Sequence, residues 1–204
     1  GDIETEDKLE YVTNGIYSSF GGGGFYGSQI QLFNDIVSDN IFVSTTNSGY
    51  NLTYQNLNWT SDSDLGFLDT GYNIINQANL VINESSLPVT ERVVSLKGEA
   101  KLLRGYTYFT LIQLYASNPT SGQYQEYGVP LNLGKYNPNE KYARNTVAEV
   151  YDQIIKDLTE GINEMNVSFR PSGAANKTYI SPTAAKLVLA KVYLTRGQSG
   201  DYDR

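Results

Sequence analysis

The residues that ordinarily do chemistry are sparse in this chain, and the gaps decide more than the candidates. Histidine and cysteine are both absent. That removes the common zinc ligands, thiol nucleophiles and every His-based catalytic triad. Catalysis would have to rest on carboxylates, Tyr, Lys or Ser. Asp35 and Asp39 lie one helical turn apart and could face one cleft. A helical glycosidase needs two opposed carboxylates about 5–10 Å apart, and this spacing is generic, so no enzyme is expected. Asp62-Ser-Asp64 opens like a calcium loop but lacks the remaining ligands and the distal Glu. It reads as helix capping, and no metal site is expected. Gly21-Gly22-Gly23-Gly24 is followed by Phe25-Tyr26-Gly27-Ser28. A phosphate cradle needs a Lys-Ser/Thr pair entering a helix, so the run reads as a flexible loop and no cofactor is expected.

Tyrosine is what the chain has in abundance. Its 17 Tyr, 7 Phe and single Trp make it 12% aromatic. Tyr carries a flat apolar face and a hydroxyl, which suits half-wet cores and polar ligand surfaces alike. The net charge is −7, and Lys and Arg are scattered rather than clustered. No phosphate-tracking surface, and so no nucleic-acid partner, is expected. There is no run of eighteen apolar residues to cross a membrane. Asn-x-Ser/Thr sequons at Asn51, Asn58, Asn83, Asn166 and Asn176 are chance products of an Asn-rich chain outside a glycosylating host.

The elements that must position any site are helical. Leu9, Val12, Ile16 and Phe20 recur at three- and four-residue intervals, predicting a first helix over Thr5 to Phe20. A second covers Ile30 to Val37. Ser38 to Thr60 then shows no period and is rich in Asn, Ser, Thr, Gly and Tyr. Such a long irregular stretch inside a compact domain is usually functional or disordered. It carries Tyr50, Tyr54, Asn56, Asn58 and Trp59. A third helix runs from about Asp64 to Asn83, with Leu68, Tyr72, Ile75, Asn79 and Ile82 on one face. Thr90 caps the fourth and longest, which reaches Ala116 and turns apolar on several sides in its second half. Arg104 on it is expected to be buried against a carboxylate.

Asn118 to Asn145 is an extended connection broken by Pro119, Pro130 and Pro138. Thr146-Val-Ala-Glu149 is a capping box opening the fifth helix. Its stripe of Val147, Val150, Tyr151, Ile154, Leu158, Ile162 and Met165 needs a partner helix. The sixth, starting at Ser181-Pro182 and ending at Gly197, is the expected partner. Helices five and six then form an antiparallel hairpin like helices three and four, an all-α fold of tetratricopeptide-like pairs with long irregular loops.

Several of these pieces together resemble one family. Glu99-Ala-Lys-Leu-Leu-Arg-Gly-Tyr-Thr-Tyr-Phe resembles the long central helix of SusD/RagB-type outer-membrane lipoproteins. Tyr72-Asn-Ile-Ile-Asn-Gln-Ala-Asn79 and Tyr127-Gly-Val-Pro-Leu131 resemble their preceding helix and following turn. The stretch Arg144 to Leu158 and Thr183 to Leu194 resemble their next two helices, in the same order. Gly105 departs from the family's usual Ala, which should slightly loosen that helix. The glycine run after the first helix is also longer than the pattern.

The resemblance implies an N-terminal helical domain over residues 1–204, with the family's C-terminal part absent. It implies capture of an oligosaccharide, or in some members a peptide, for a SusC-like TonB-dependent transporter. A tetratricopeptide-type protein-interaction scaffold is the remaining reading. The family's lipidated Cys is absent, so membrane attachment at the outer-membrane surface would come through an anchor outside this chain. In resembling proteins part of the ligand site comes from the region matching Ser38–Thr60. Sugar recognition needs aromatic faces and planar polar groups. Trp59 and Tyr54 are therefore the expected stacking platforms, with Asp39 and Asn58 the hydroxyl partners.

Overall fold

The computed structural model describes residues 3–49, 51–58, 60 and 66–203, and of 174–176 only the backbone. Among the described residues seven α-helices follow one another and no strand occurs. They are α1 Glu6–Phe20, α2 Gln29–Val37, α3 Leu52–Gln55, α4 Phe67–Ile82, α5 Glu91–Tyr115, α6 Val147–Glu164 and α7 Pro182–Arg196. The starts are set by the expected caps. Thr5, Thr90 and Ser181 each accept from the backbone N–H three residues on, at 3.2, 3.2 and 3.1 Å. Thr146 and Glu149 form the reciprocal capping box, at 3.2 and 2.8 Å. Gly197 ends α7 at φ 62°, where a side chain would be strained.

Side-chain pairs fix the helix directions. Arg104 on α5 reaches Asn79 on α4 at 2.7 Å, while Tyr108 meets Tyr72 edge-on at 6.5 Å, so α4 and α5 run antiparallel. Lys101 bonds Glu164 at 2.6 Å and Phe109 meets Tyr151 at 6.3 Å, making α5 and α6 antiparallel too. α1 runs alongside α4 and α5, and α7 folds back along α6. The bundle is therefore built of tetratricopeptide-like helix pairs around α5. This explains why α5 is buried on every side, from Val93 to Ile112. Two clusters share it. One gathers α1, α2, α4 and the first half of α5; the other gathers its second half with α6 and α7.

Four expectations shift. The main partner of α6 is α5 rather than α7. Glycine lets the two backbones close up: a Cβ on Gly161 would lie 2.6 Å from the Gly98 carbonyl, and one on Gly105 would lie 3.1 Å from Asp157 Cβ. Gly105 thus serves close approach to α6 where a loosened helix was expected. On α4 the buried set is Phe67, Gly71, Ile74, Ile75, Ala78, Asn79 and Val81, while Leu68 faces outward. The face is wider and rotated because α4 touches both α1 and α5. The glycine run is an ordered turn. The Gly22 carbonyl accepts from Phe25 and Gly27 at 3.0 and 2.9 Å, which seats Phe25 in the core at full burial.

The two ends of the bundle are held differently. Where α5 begins, Arg92 pairs with Asp7 at 2.8 Å and with Glu10. Arg170 is buried beside it and binds Glu99 at 2.9 Å, Glu10 at 3.2 Å and Asn14 at 2.9 Å. Its guanidinium also lies 4.4 Å from the Tyr179 ring centroid. Where α1 and α5 end, rings take over. Phe20 stacks on Tyr26 at 4.8 Å, Tyr26 meets Tyr106 at 4.9 Å, and Phe33 meets Phe67 at 5.7 Å.

Candidate ligand-binding site

The irregular segment after α2 lies at the aromatic end. α2 stops at Val37, and Asp39 takes a left-handed backbone at φ 59°. Asn40 and Ile41 turn back to bond the Asp35 carbonyl, at 2.9 and 3.3 Å. Asp35 and Asp39 therefore do not share a helix face. The short α3 presents Tyr54, half-buried and edge-on to Phe33 at 5.4 Å. Gln55 accepts from the Val43 N–H, stitching the segment to itself. Asn58 is exposed, its N–H bonded to the Thr53 carbonyl at 3.3 Å. Asp39 is likewise exposed. Trp59 and the Asp62-Ser-Asp64 stretch lie outside the described residues. So the structure anchors Tyr54 to the aromatic cluster and leaves Asp39 and Asn58 in solvent.

Sequence reading missed a larger feature. An open groove of about 1040 Å³ runs along the outer face of α4, walled on its far side by Lys135 and Tyr136. α4 supplies Asp69, Tyr72, Asn73, Asn76 and Gln77, residues at three- and four-residue intervals on one face. Tyr136 is 58% exposed, its ring free to meet a ligand. Past Leu80 and Lys135 the groove continues into a second hollow of about 760 Å³ beside Asn83 and Glu84. The signal was in the sequence as the polar spacing Asn73, Asn76, Gln77 and Asn83, opposite the apolar stripe.

Hydrogen bonds behind the groove orient these side chains. Asn76 Oδ1 accepts from Asn132 Nδ2 at 3.0 Å, which leaves the Asn76 amide NH₂ to the groove. Asn132 is buried, and its carbonyl accepts from Asn79 Nδ2 and from the Tyr108 hydroxyl, both at 2.9 Å. Asn79 Oδ1 in turn takes the Arg104 guanidinium, whose other nitrogens grip Asp157 at 2.8 and 2.7 Å. Arg104 is thus buried against a carboxylate, as expected. Gln77 is tied to Ser19 at 3.1 Å, and the Tyr72 hydroxyl donates to the Pro130 carbonyl at 2.7 Å. Burial raises the Tyr72 pKa further above its ordinary value, so the phenol is a neutral donor at any ordinary pH. The result is a preorganised row of neutral amides with aromatic rings beside it. Among the described residues no group of His, Cys, Asp or Glu is arranged to hold a metal ion.

Among the described residues the scaffold is all-helical and carries a polar, aromatic-flanked groove. Residues 1–194 match the family described as "Starch-binding associating with outer membrane", and the chain belongs to that SusD-like family. Solved structures agree. A SusD superfamily protein from Bacteroides thetaiotaomicron is 26% identical at a TM-score of 0.80, covering 95% of this chain and 43% of that one. A SusD-like carbohydrate binding protein from Bacteroides vulgatus is 18% identical at 0.76, covering 98% and 43%. A laminarin binding SusD-like protein is 19% identical at 0.74, covering 98% and 42%. The chain therefore spans less than half the length of each. Comparison with curated proteins found no match.

Proposed function

We propose that this chain captures oligosaccharide at the cell surface for import through a SusC-like TonB-dependent outer-membrane transporter. The protein is held at the outer membrane by a lipid anchor outside the residues described, and it binds rather than cleaves its glycan. The observation that carries the reading is the α4 groove. Amides can both donate to and accept from sugar hydroxyls, and tyrosine rings lie flat against sugar C–H faces. The groove offers Asn73, Asn76 and Gln77 beside Tyr72 and Tyr136, with Asp69 and Lys135 the charges among its lining. A polyhydroxylated, largely neutral ligand fits that chemistry better than an extended charged peptide. Family membership and the laminarin-binding relative support it. Trp59 and Tyr54 serve as further stacking platforms in this proposal, with Asp39 and Asn58 as hydroxyl partners.

Affinity gel electrophoresis against a panel of soluble polysaccharides tests the reading, with Trp59→Ala and Asn76→Ala run alongside. One polysaccharide should retard the chain, and each variant should weaken retardation about tenfold, the loss expected for one stacked ring at Trp59 or for one or two ligand hydrogen bonds at Asn76. Retardation unchanged in Trp59→Ala removes the Ser38–Thr60 platform, and retardation unchanged in Asn76→Ala removes the α4 groove. No retardation by any polysaccharide turns the proposal toward a peptide or protein ligand.

A further inference from the structure

A separate hollow of about 470 Å³ opens where α5 ends, and it shares no lining residue with the α4 groove. Its base is Leu114 to Ser117, and Tyr124, Tyr127 and Arg144 stand around it. Tyr124 and Tyr127 are 67% and 50% exposed, yet they are not on a loose loop. Gln125 Nε2 donates to the carbonyls of Asn118 and Gln123 at 3.0 and 2.9 Å, tying the turn to itself. The Val147 N–H donates to the Gln125 carbonyl at 2.8 Å, tying it to the start of α6. Tyr124 itself sits at φ 55°, a left-handed backbone that an aromatic residue rarely adopts. The turn thus holds two rings in solvent instead of packing them, and little backbone freedom is left to lose on binding.

Arg144 is the second observation. Arg92, Arg104, Arg170 and Arg196 each hold a carboxylate, at 2.8, 2.7, 2.9 and 2.6 Å. Arg144 alone among the described arginines forms no ion pair; its Nη2 donates to the Tyr115 carbonyl at 2.9 Å. That bond caps the negative end of α5, worth about half an elementary charge, so the full charge of the guanidinium leaves the hollow positive. Four of its five N–H donors remain for a ligand. In a chain of net charge −7, an exposed arginine that no carboxylate has claimed marks a place where an anion would be accepted.

We propose that this hollow is a subsite for an anionic sugar residue of the glycan. Tyr124 and Tyr127 supply the ring faces, and the Arg144 fork takes a carboxylate or a sulfate group on the sugar. The inference rests on the glycan-binding reading above and adds the charge of one residue in the chain.

Isothermal titration of the whole chain tests it with three probes: hexagalacturonate, a sulfated galactan hexasaccharide and neutral laminarihexaose. At least one anionic probe should bind, and Arg144→Gln should weaken it about tenfold or more, the usual worth of a charge-assisted hydrogen bond. Arg144→Lys should recover only part, because it keeps the charge and loses the fork. High salt should weaken the anionic probe and leave laminarihexaose unmoved. Binding of hexagalacturonate alone identifies a uronate, and binding of the sulfated probe alone identifies a sulfate ester. Thermal melts check that Arg144→Gln still folds; should it not, Tyr124→Ala, which leaves the α5 cap intact, carries the same expected loss. Laminarihexaose binding with no anionic binding overturns this inference and leaves the glycan reading standing. Anionic binding untouched by both Arg144→Gln and Tyr124→Ala overturns the site. No binding of any probe overturns both.

Discussion

The two ends of this bundle solve the same packing problem with opposite materials. Where α5 begins, α1 and the stretch after α6 are joined to it by arginines: Arg92 holds Asp7 and Glu10, and Arg170 holds Glu99, Glu10 and Asn14. Where α5 ends, Phe20, Phe25, Tyr26, Tyr106, Phe33 and Phe67 meet ring to ring. A buried ion pair is costly to break from one side, because the charge left behind is stranded away from water. Rings pack well in several arrangements and offer exposed relatives such as Tyr136 and Tyr124 to a ligand. The charged end fixes the helices, and the aromatic end, where the irregular segment and the Asp69–Tyr72 part of the α4 groove lie, is left to adapt.

The largest expected effect lies at the charged end. Arg170→Met strands the buried Glu99 carboxylate and should lower stability by about 3–5 kcal/mol, read as a fall in melting temperature. Adding Glu99→Met should restore most of that loss, because both charges then leave together. If the double variant melts as low as the single one, the contrast between the ends fails, since the pair would matter for its shape rather than its charge.

A smaller effect tests the aromatic end. Tyr26→Phe keeps every ring contact and removes the 2.8 Å bond between its hydroxyl and Thr110. It should lower stability by about 0.5–1.5 kcal/mol. A loss as large as that of Arg170→Met would show that the aromatic end is as strictly specified as the other.

The smallest effect is acid sensitivity. The hydrogen bond from Lys101 holds the Glu160 carboxyl below its usual range, against a smaller opposing effect of burial. A carboxyl with a depressed folded pKa contributes stability that is complete above its unfolded value, about 4.3. That stability is lost as pH falls through the lower folded value. For a pair this exposed it amounts to less than about 1 kcal/mol. Amide protection factors, corrected for the slower intrinsic exchange in acid, should therefore fall first in the last turns of α6 when pH drops from about 5 toward 3, before the second half of α5 responds. A uniform fall in protection along both helices would blur the distinction.

Much of the scaffold was legible because it is local. Thr90, Thr146 with Glu149, and Ser181 with Pro182 mark helix starts through bonds that reach only three residues, and the structure keeps each one. The α6 stripe gave its buried face for the same reason. What failed depended on neighbours. The wide buried face of α4 follows from having both α1 and α5 beside it. The need for Gly105 lies in Asp157, fifty-two residues away. The burial of Arg104 was foreseen, but the partner of Arg170 was not, because Glu99 and Arg170 meet only once α5 and the turn after α6 are folded together. The groove was half visible as polar spacing on α4. Its other wall, Lys135 and Tyr136, comes from a connection with no period to read.

That connection has a consequence of its own. Gly128 N–H bonds the Asn145 carbonyl at 2.7 Å, and Val147 N–H bonds the Gln125 carbonyl at 2.8 Å. A side chain at Gly128 would collide with the Asn145 carbonyl at 2.7 Å, so this closeness requires glycine. The stretch between is pinched into a ring that these bonds hold closed at its base. A protease that nicks the exposed chain after Lys135 or Lys141 would leave both cut ends gripped at their bases and the helices undisturbed. Lengthening or shortening the ring would likewise remodel the groove wall without moving α5 or α6. It is the part of the molecule where appetite for a different ligand can change while the architecture stays inherited.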